Sequence, residues 1–429
     1  MGWSACPVRD RYAAMTAPTR PRILFLTTEL PWPALSGGTT RTLETLHALG
    51  HFADTTVAAF VEPPGNGRRQ AAELASLIPG LTVLGPVPHP IRIRRRPSAL
   101  ARAAVTALWR RQPYLAAKFW NAAYSRTVVR AVRDRRPDLV YVDHLNVAAY
   151  TAALPARVPV VLDEHNVEWR LFAEAAEREP RALWRAALRL EARRTRAYEA
   201  KALGRAALVL APTADDVREL RDLAPTARVV TVPTSAGEPA SFRSQPRNGA
   251  AALFVATLSW PPNLHGARWL AREVWPHVRR QKADLELWVA GNGATPGVCA
   301  DLAGDGVRLL GFVEDLDPVY DAARVAALPR LLGGGVAMKV LAAMREGLPV
   351  VTTTRGARGL ALHPGEEALL ADEPGAFASA IVHAVSTPAL RAHLVAGAHR
   401  LLVANHSRAG LSRALRAEMG RLFPIGAHN

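Results

Sequence analysis

The sequence predicts an α/β protein built from two parallel-sheet domains that face each other across a central cleft. Three observations carry this. Short apolar, β-branched runs alternate with helical stretches along the 429-residue chain, the pattern of parallel strands joined by helical crossovers. The alternation stops at 235–250 (SAGEPASFRSQPRNGA), which is rich in Pro, Gly and Ser, and then restarts. Each half also carries a glycine loop at a helix start, Ser36-Gly37-Gly38 in the first and Gly333-Gly334-Gly335 in the second. A chain of this length can give each domain a core of its own.

Taken in order, residues 1–20 read as a disordered leader without the apolar core of a secretory signal, and Met15 is an alternative start. The first domain, 21–234, opens with a buried strand at 23–28 and the loop ELPWPALSGGTTR, followed by a helix over 40–49. Further strands are expected at 56–60, 82–84, 139–143 (LVYVD), 158–163 (VPVVLD), 207–210 and 229–232, with a long helix over 181–203. After the linker, 235–250, the second domain, 251–403, repeats the pattern with strands at 253–256, 285–290, 307–310, 325–328, 350–353 and 369–370. Residues 404–429 are expected to form a helix that crosses back to the first domain. Ligand belongs where the carboxyl ends of the two sheets meet.

Composition narrows the function classes. Hydrophobic residues at 49% and charged residues at 21% describe an ordinary globular chain. Two cysteines rule out a disulfide framework or a cysteine-rich metal site. No apolar run approaches the ~20 residues that cross a bilayer, so a cytoplasmic location is expected. The net charge of +17 is spread as arginine over most helices, with no nucleic-acid-binding signature. One cluster is denser, 89–111, where Arg92, Arg94, Arg95 and Arg96 precede a helical pattern carrying Leu100, Val105, Leu108 and Trp109. It reads either as a solvated face or as a basic amphipathic segment making peripheral contact with the inner face of the plasma membrane.

The stretch VAALPRLLGGGVAMKVLAAMREGLPVVTTT (325–354) reads as strand, glycine loop, helix, strand. Glycines let the backbone approach a ligand closely, and a helix start presents amide donors at the positive end of a dipole. Lys339 adds a full charge, in a chain with only four lysines. The loop is an anion cradle, or else a tight turn with a solvated lysine; it fits neither the P-loop nor the dinucleotide fingerprint. His144 and His165 follow expected strand ends and so face the expected cleft, or bond a neighbouring carbonyl. Glu168 lies close behind. Asn263, in WPPN, caps the next helix or contacts a ligand, and capping is the simpler reading. Asp315 and Asp317 read as a loop and helix cap rather than a metal-binding pair.

These residues resemble a known family. PWPALSGGTTR, DLVYVDHLNVAAY, VVLDEHNVEW, FVATLSWPPNLHGARWLAREVWPHV, LELWVAGNG, VRLLGFVEDLDPVYDAARV and GGGVAMKVLAAMREGLPVVTTTRGARGL are similar in order and spacing to motifs of retaining glycosyltransferases of family 4, in particular a bacterial sugar transferase subgroup. The resemblance implies the GT-B fold, two Rossmann-like domains around the cleft. It implies a nucleotide-diphosphate sugar as co-substrate, no other cofactor and no metal. It places His165 near the donor sugar and Lys339, Arg330, Gly37, Gly38, Gly333, Gly334 and Gly335 around the donor phosphates. His144, Glu168, Asn263 and Glu346 are further candidates. The acceptor would be lipid-linked, a polysaccharide or a natural product.

The chain departs from the family pattern at two positions. Relatives carry two glutamates separated by seven residues, the second bonding the donor ribose; here Gly334 and Ala342 stand there. Glu346, a turn beyond, is at best a partial substitute. The departure keeps open a degenerate member acting as a non-catalytic partner or scaffold, and, more distantly, a sugar-nucleotide epimerase.

Overall fold

A computed structural model describes residues 20–91 and 97–422; almost all of the expected leader and the arginines from Arg92 to Arg96 lie outside the described residues. The strands are β1 (Arg22–Thr27), β2 (Asp54–Ala58), β3 (Phe60–Val61), β4 (Leu81–Val83), β5 (Val87–Pro88), β6 (Leu139–Asp143), β7 (Val160–Asp163), β8 (Leu208–Ala211) and β9 (Val229–Thr231) in the first half. The second half holds β10 (Ala251–Val255), β11 (Leu287–Ala290), β12 (Val307–Gly311), β13 (Ala323–Leu328), β14 (Val350–Thr352) and β15 (Ala368–Leu370).

A seven-stranded sheet runs β4-β2-β1-β6-β7-β8-β9 and a six-stranded sheet runs β12-β11-β10-β13-β14-β15, with all the pairings parallel. Helices cover both faces, so central strands such as RILFLT and LVYVD are apolar on both sides and almost wholly buried. The expected strand 56–60 breaks at Ala59. Phe60 leaves the main sheet to pair in a small β3–β5 sheet, where it stacks on Tyr124 at 4.2 Å.

In each sheet the strand order reverses beside the first strand, between β1 and β6 and between β10 and β13. The loops leaving those strands at their carboxyl ends therefore diverge and leave a crevice. The motifs at 28–38, 144, 256–263 and 329–338 follow β1, β6, β10 and β13, which is why residues far apart in sequence meet at the crevice.

Two segments cross between the sheets and pair with each other. In the linker, the Ala236 amide donates to His406 O at 2.8 Å, and the Arg408 amide returns to Gly237 O at 3.0 Å. Glu44 ties the crossing to the first domain, accepting from Ser235 Oγ at 2.9 Å and pairing with Arg408 at 2.9 Å. The Arg408–Met419 helix then buries Leu411, Leu415 and Met419 with Ile23 and Phe25 of β1. Among the described residues, no helix is long and apolar enough to cross a membrane.

Candidate active site

On the first-domain side, β1, β6 and β7 end at one level, since the register pairs Thr27 with Asp143 and Asp143 with Asp163. Asp143 is fully buried and organises what surrounds it. Its Oδ2 accepts from Thr27 Oγ1 at 2.7 Å and Thr42 Oγ1 at 2.8 Å, and Oδ1 accepts from His165 Nε2 at 2.9 Å. His144 Nδ1 lies 3.1 Å from Oδ2. The two imidazole rings lie against each other, tilted by 38° with centroids 3.7 Å apart. Behind them Asp163 accepts from Arg41 Nη2 at 2.6 Å and from the Tyr141 hydroxyl at 2.7 Å.

Burial opposes charge on Asp143, but the two imidazoles and their hydrogen bonds outweigh it and hold the carboxyl well below the usual range. Burial also opposes charge on His144, yet the Asp143 carboxylate raises that imidazole to about 9. Burial, the His144 charge and Arg41 together lower His165 to about 4, against the pull of Asp143. One proton is thus held by the pair at neutral pH: His144 is the imidazolium and His165 is neutral. His144 adopts φ of 100°, a conformation that L side chains rarely take, costing on the order of 1–3 kcal/mol. Its amide bond to Asp163 O at 3.2 Å and its ion pair with Asp143 hold it there. Asp143, His144 and His165 bring three ligand-type atoms within 4.8 Å. Here the carboxylate oxygens are engaged by the imidazoles and by the Thr27 and Thr42 hydroxyls, so the three side chains form a proton-holding triad.

On the second-domain side, Lys339 lies in the first turn of the Met338–Arg345 helix. Its Nζ donates to Asn263 Oδ1 at 3.0 Å and sits 5.1 Å from the Phe254 ring centroid. Asn263 Nδ2 in turn donates to Thr257 O at 3.0 Å. Asn263 therefore does not cap the Pro261–Trp269 helix, which has no side-chain cap; it holds the lysine. Nor is Lys339 a solvated charge. Burial, followed by the neighbouring Arg330, lowers it to about 7.

Arg330 is buried enough to fall to about 10, which leaves it cationic at neutral pH. Its Nη1 donates to Gly335 O at 2.9 Å and Nε to Leu332 O at 3.3 Å, so it braces the glycine loop from inside. Gly333 and Gly335 have φ of 82° and 68°, values that favour glycine. The helix itself begins at Met338, so Val336 and Ala337 intervene between loop and helix.

The two sides touch. A Cβ at Gly335 would come within 2.5 Å of His165 O, and one at Gly37 within 3.1 Å of Met338 Cβ. The Gly37–Gly50 helix starts earlier than its sequence suggested: Ser36 is its N-cap, bonded reciprocally with Thr39, and the two glycines form the first turn. A Cβ at Gly38 would lie 4.0 Å from His144 Nε2. The amide of Gly333 donates at 3.0 Å to Glu174, which also pairs with Arg355 at 3.0 Å across the cleft.

The structure thus brings together Gly37, Gly38, His144, His165, Arg330, Gly333, Gly334, Gly335, Asn263 and Lys339. Glu168 begins the Glu168–Arg178 helix and faces His144, whose charge opposes the rise that burial gives its carboxyl. Glu346 is placed otherwise. Its carboxylate pairs with Arg247 at 2.7 Å and Arg345 at 3.0 Å, tying down the linker. Ala342 lies half-buried one turn after Met338; the buried face of their helix is Val340, Leu341, Ala343 and Met344. Asp315 accepts from the Asp317 amide at 3.0 Å just ahead of the Asp317–Asp321 helix, whose N-cap is Leu316 and which has no side-chain cap, so neither aspartate caps it. Sequence reasoning missed Asp143, Asp163, Arg41, Glu174 and Asp216. The available signal was that LVYVD and VVLD both end an apolar strand on aspartate.

Two family models match the chain, Glycosyltransferase Family 4 over residues 37–236 and Glycosyl transferases group 1 over residues 249–387. Both halves of the chain therefore match glycosyltransferase models, and the chain is a family 4-like glycosyltransferase. A curated relative, an uncharacterized 44.6 kDa protein in the cps region of Klebsiella pneumoniae, is 34% identical over 140 residues, 30% of this chain and 36% of that protein. The match therefore spans about a third of that relative's length. Among solved structures, sucrose-phosphate synthase from Thermosynechococcus elongatus aligns with a TM-score of 0.67 at 16% identity, covering 94% of this chain and 98% of that one. HepE of Anabaena, in complex with UDP and glucose, aligns with a TM-score of 0.64 at 14% identity over 94% and 100%. WaaG, a glycosyltransferase involved in lipopolysaccharide biosynthesis, aligns with 0.61 at 13% over 93% and 100%. At these identities the likeness shows the fold alone, GT-B.

Proposed function

We propose that this family 4-like chain transfers a sugar from a nucleoside-diphosphate donor with retention of anomeric configuration. The observation that carries the reading is the meeting, in one crevice, of Lys339 and the glycine loop with the Asp143–His144–His165 triad. As the glycosidic bond breaks, negative charge grows on the leaving diphosphate. Donors already aimed at that charge stabilise the transition state more than the ground state. Lys339 is such a donor: its charge is poorly solvated before the anion arrives and is satisfied by it. Gly37, Gly38 and the Gly335 end of the loop, next to the Lys339 helix, allow backbone to close on the phosphates from both sides. Neutral His165 contacts the donor sugar, while the His144 imidazolium, on the more open side of the pair, presents its Nε2–H toward Gly38. Retention is tested by proton NMR of the product formed from UDP-, GDP- and dTDP-sugars. An α-linked donor must give an α-configured first product; a β-configured one overturns the reading.

The acceptor class we infer is lipid-linked saccharide, reached by peripheral contact with the inner membrane face. The support lies in the Pro97–Trp109 helix, which packs inward with alanines (Ala99, Ala103, Ala107) and turns its large apolar side chains outward. Val105, Leu108 and Trp109 are 67%, 72% and 77% exposed. Arg110, stacked 3.5 Å from the Trp120 centroid, and Arg111 extend this face with positive charge. Leu108→Asp is expected to abolish co-sedimentation with anionic vesicles, and wild-type binding to fall with salt, since each basic side chain contributes about 1 kcal/mol near such a surface. Equal recovery on neutral vesicles would refute it.

A further inference from the structure

We propose that Asp216, reaching the glycine loop from the opposite domain, reads the hydroxyls of the donor sugar and so helps set donor specificity. The inference rests on the sugar-nucleotide reading above and deepens it. Asp216 stands in the first turn of the Ala214–Leu223 helix, which follows β8 and is capped by Thr213. The Thr213 hydroxyl accepts from the Asp216 amide at 3.0 Å and donates to Oδ2 at 2.8 Å, so the side chain is fixed from below. Asp216 is only 7% exposed. Among the described residues, Oδ1 has no hydrogen-bond or ion-pair partner, and it lies 3.6 Å from where a Cβ of Gly334 would be.

A carboxylate oxygen without a protein partner, on a residue this enclosed and beside a glycine, is an acceptor available to a ligand's donor. The ligand that fits is a neutral group rich in hydroxyls. A phosphate would be repelled by Asp216 and by Glu174, whose carboxylate already holds the Gly333 amide. Arg330 is within electrostatic reach of both acids, and its guanidinium is already committed to the Gly335 and Leu332 carbonyls; Lys339, whose one strong charged neighbour is Arg330, is the cation left for the phosphates. The charge pattern therefore orients the donor, with its diphosphate toward Lys339 and its sugar at Gly333–Gly334 beneath Asp216. The absence of a side chain at Gly334 leaves the sugar open to an acid from the other domain. Such a contact forms only when the cleft is closed, which couples sugar recognition to closure.

The test compares wild-type protein and Asp216→Asn by calorimetric titration with UDP, GDP and dTDP and with the matching glucose nucleotides. Asparagine keeps the size and the Thr213 contact; melting temperature reports folding, and Asp216→Glu serves as a charge-retaining second variant. For the base that binds, Asp216→Asn is expected to leave nucleoside-diphosphate affinity within about twofold and to weaken the glucose nucleotide by roughly tenfold or more, the range for losing a hydrogen bond to a charged group. Asp216→Glu should recover part of that loss. Equal changes for the two ligands, or none for either, would overturn the role of Asp216 alone. A wild-type protein that binds none of these nucleotides would overturn the sugar-nucleotide reading, and the inference with it.

Discussion

Lys339→Met is expected to lower kcat/KM by roughly ten- to a hundredfold while leaving the melting temperature unchanged or higher. The two effects separate because the lysine is poorly placed for stability and well placed for chemistry. In the free protein its ammonium is desolvated beside Arg330 over the Phe254 ring, with Asn263 as its hydrogen-bond partner, and it falls to about 7. The unfolded chain holds that proton up to about 10.4. Between these values the unfolded state binds more protons, so this group's contribution to stability rises with pH from about 7 to about 10. Methionine fills the same space without a charge and removes that dependence. What it cannot do is stabilise the leaving diphosphate, a charge-assisted bond worth about 1.5–3 kcal/mol. Steady-state kinetics with matched melting curves measure both effects, and wild-type turnover by the variant would remove the lysine from the leaving-group site.

The largest loss of stability is expected from Asp143→Asn, by about 3–5 kcal/mol at neutral pH, because it removes one partner of a buried ion pair. Asp143 serves Thr27, Thr42, His144 and His165 together, and asparagine cannot accept from all of them without turning its amide donors on one. The pH dependence has a sign on each flank. Asp143 is depressed, so its contribution is present above about 3.9 and lost as pH falls through its lower folded value. His144 is raised to about 9, so its contribution is full below about 6.5 and lost as pH rises through 9. His165 is lowered to about 4, which costs stability as pH falls from about 6.5 toward 4. The triad therefore contributes most near pH ~6.5, and denaturant unfolding across pH should show that maximum in wild-type protein and lose it in Asp143→Asn. Superimposable pH profiles for the two proteins would show that the triad holds no such proton.

The fold was legible because its signals are local. Strands such as LVYVD and VVLD are continuous apolar runs, the linker has no period, and glycine loops punctuate both halves. The glycine loops, His165 and Lys339 were legible for the same reason. The rest of the site was not, because it depends on which residues meet across the cleft. Nothing around Asn263 shows that it holds a lysine 76 positions away, and a helix-capping role suits its local sequence equally well. Glu346, a turn of helix beyond Ala342, reads from the sequence as at best a partial substitute for the missing carboxylate; in the structure its carboxylate is held by Arg247 and Arg345. Asp216 and Glu174 sit on helices of the first domain, and only the closed approach of the second domain's loop gives them a role.

Proton uptake on nucleotide binding tests the central claim most directly. If a diphosphate docks on Lys339, the anion must restore the charge that burial suppresses. At about pH 8, above the free protein's value for Lys339, binding should then take up close to one proton per site. Calorimetric titration with UDP, GDP and dTDP in two buffers of different ionisation enthalpy reads that uptake. Wild-type protein is expected to bind at least one of the three with uptake, and Lys339→Met to lose it. No binding by any of them, or binding with the same proton balance in both proteins, would contradict the account.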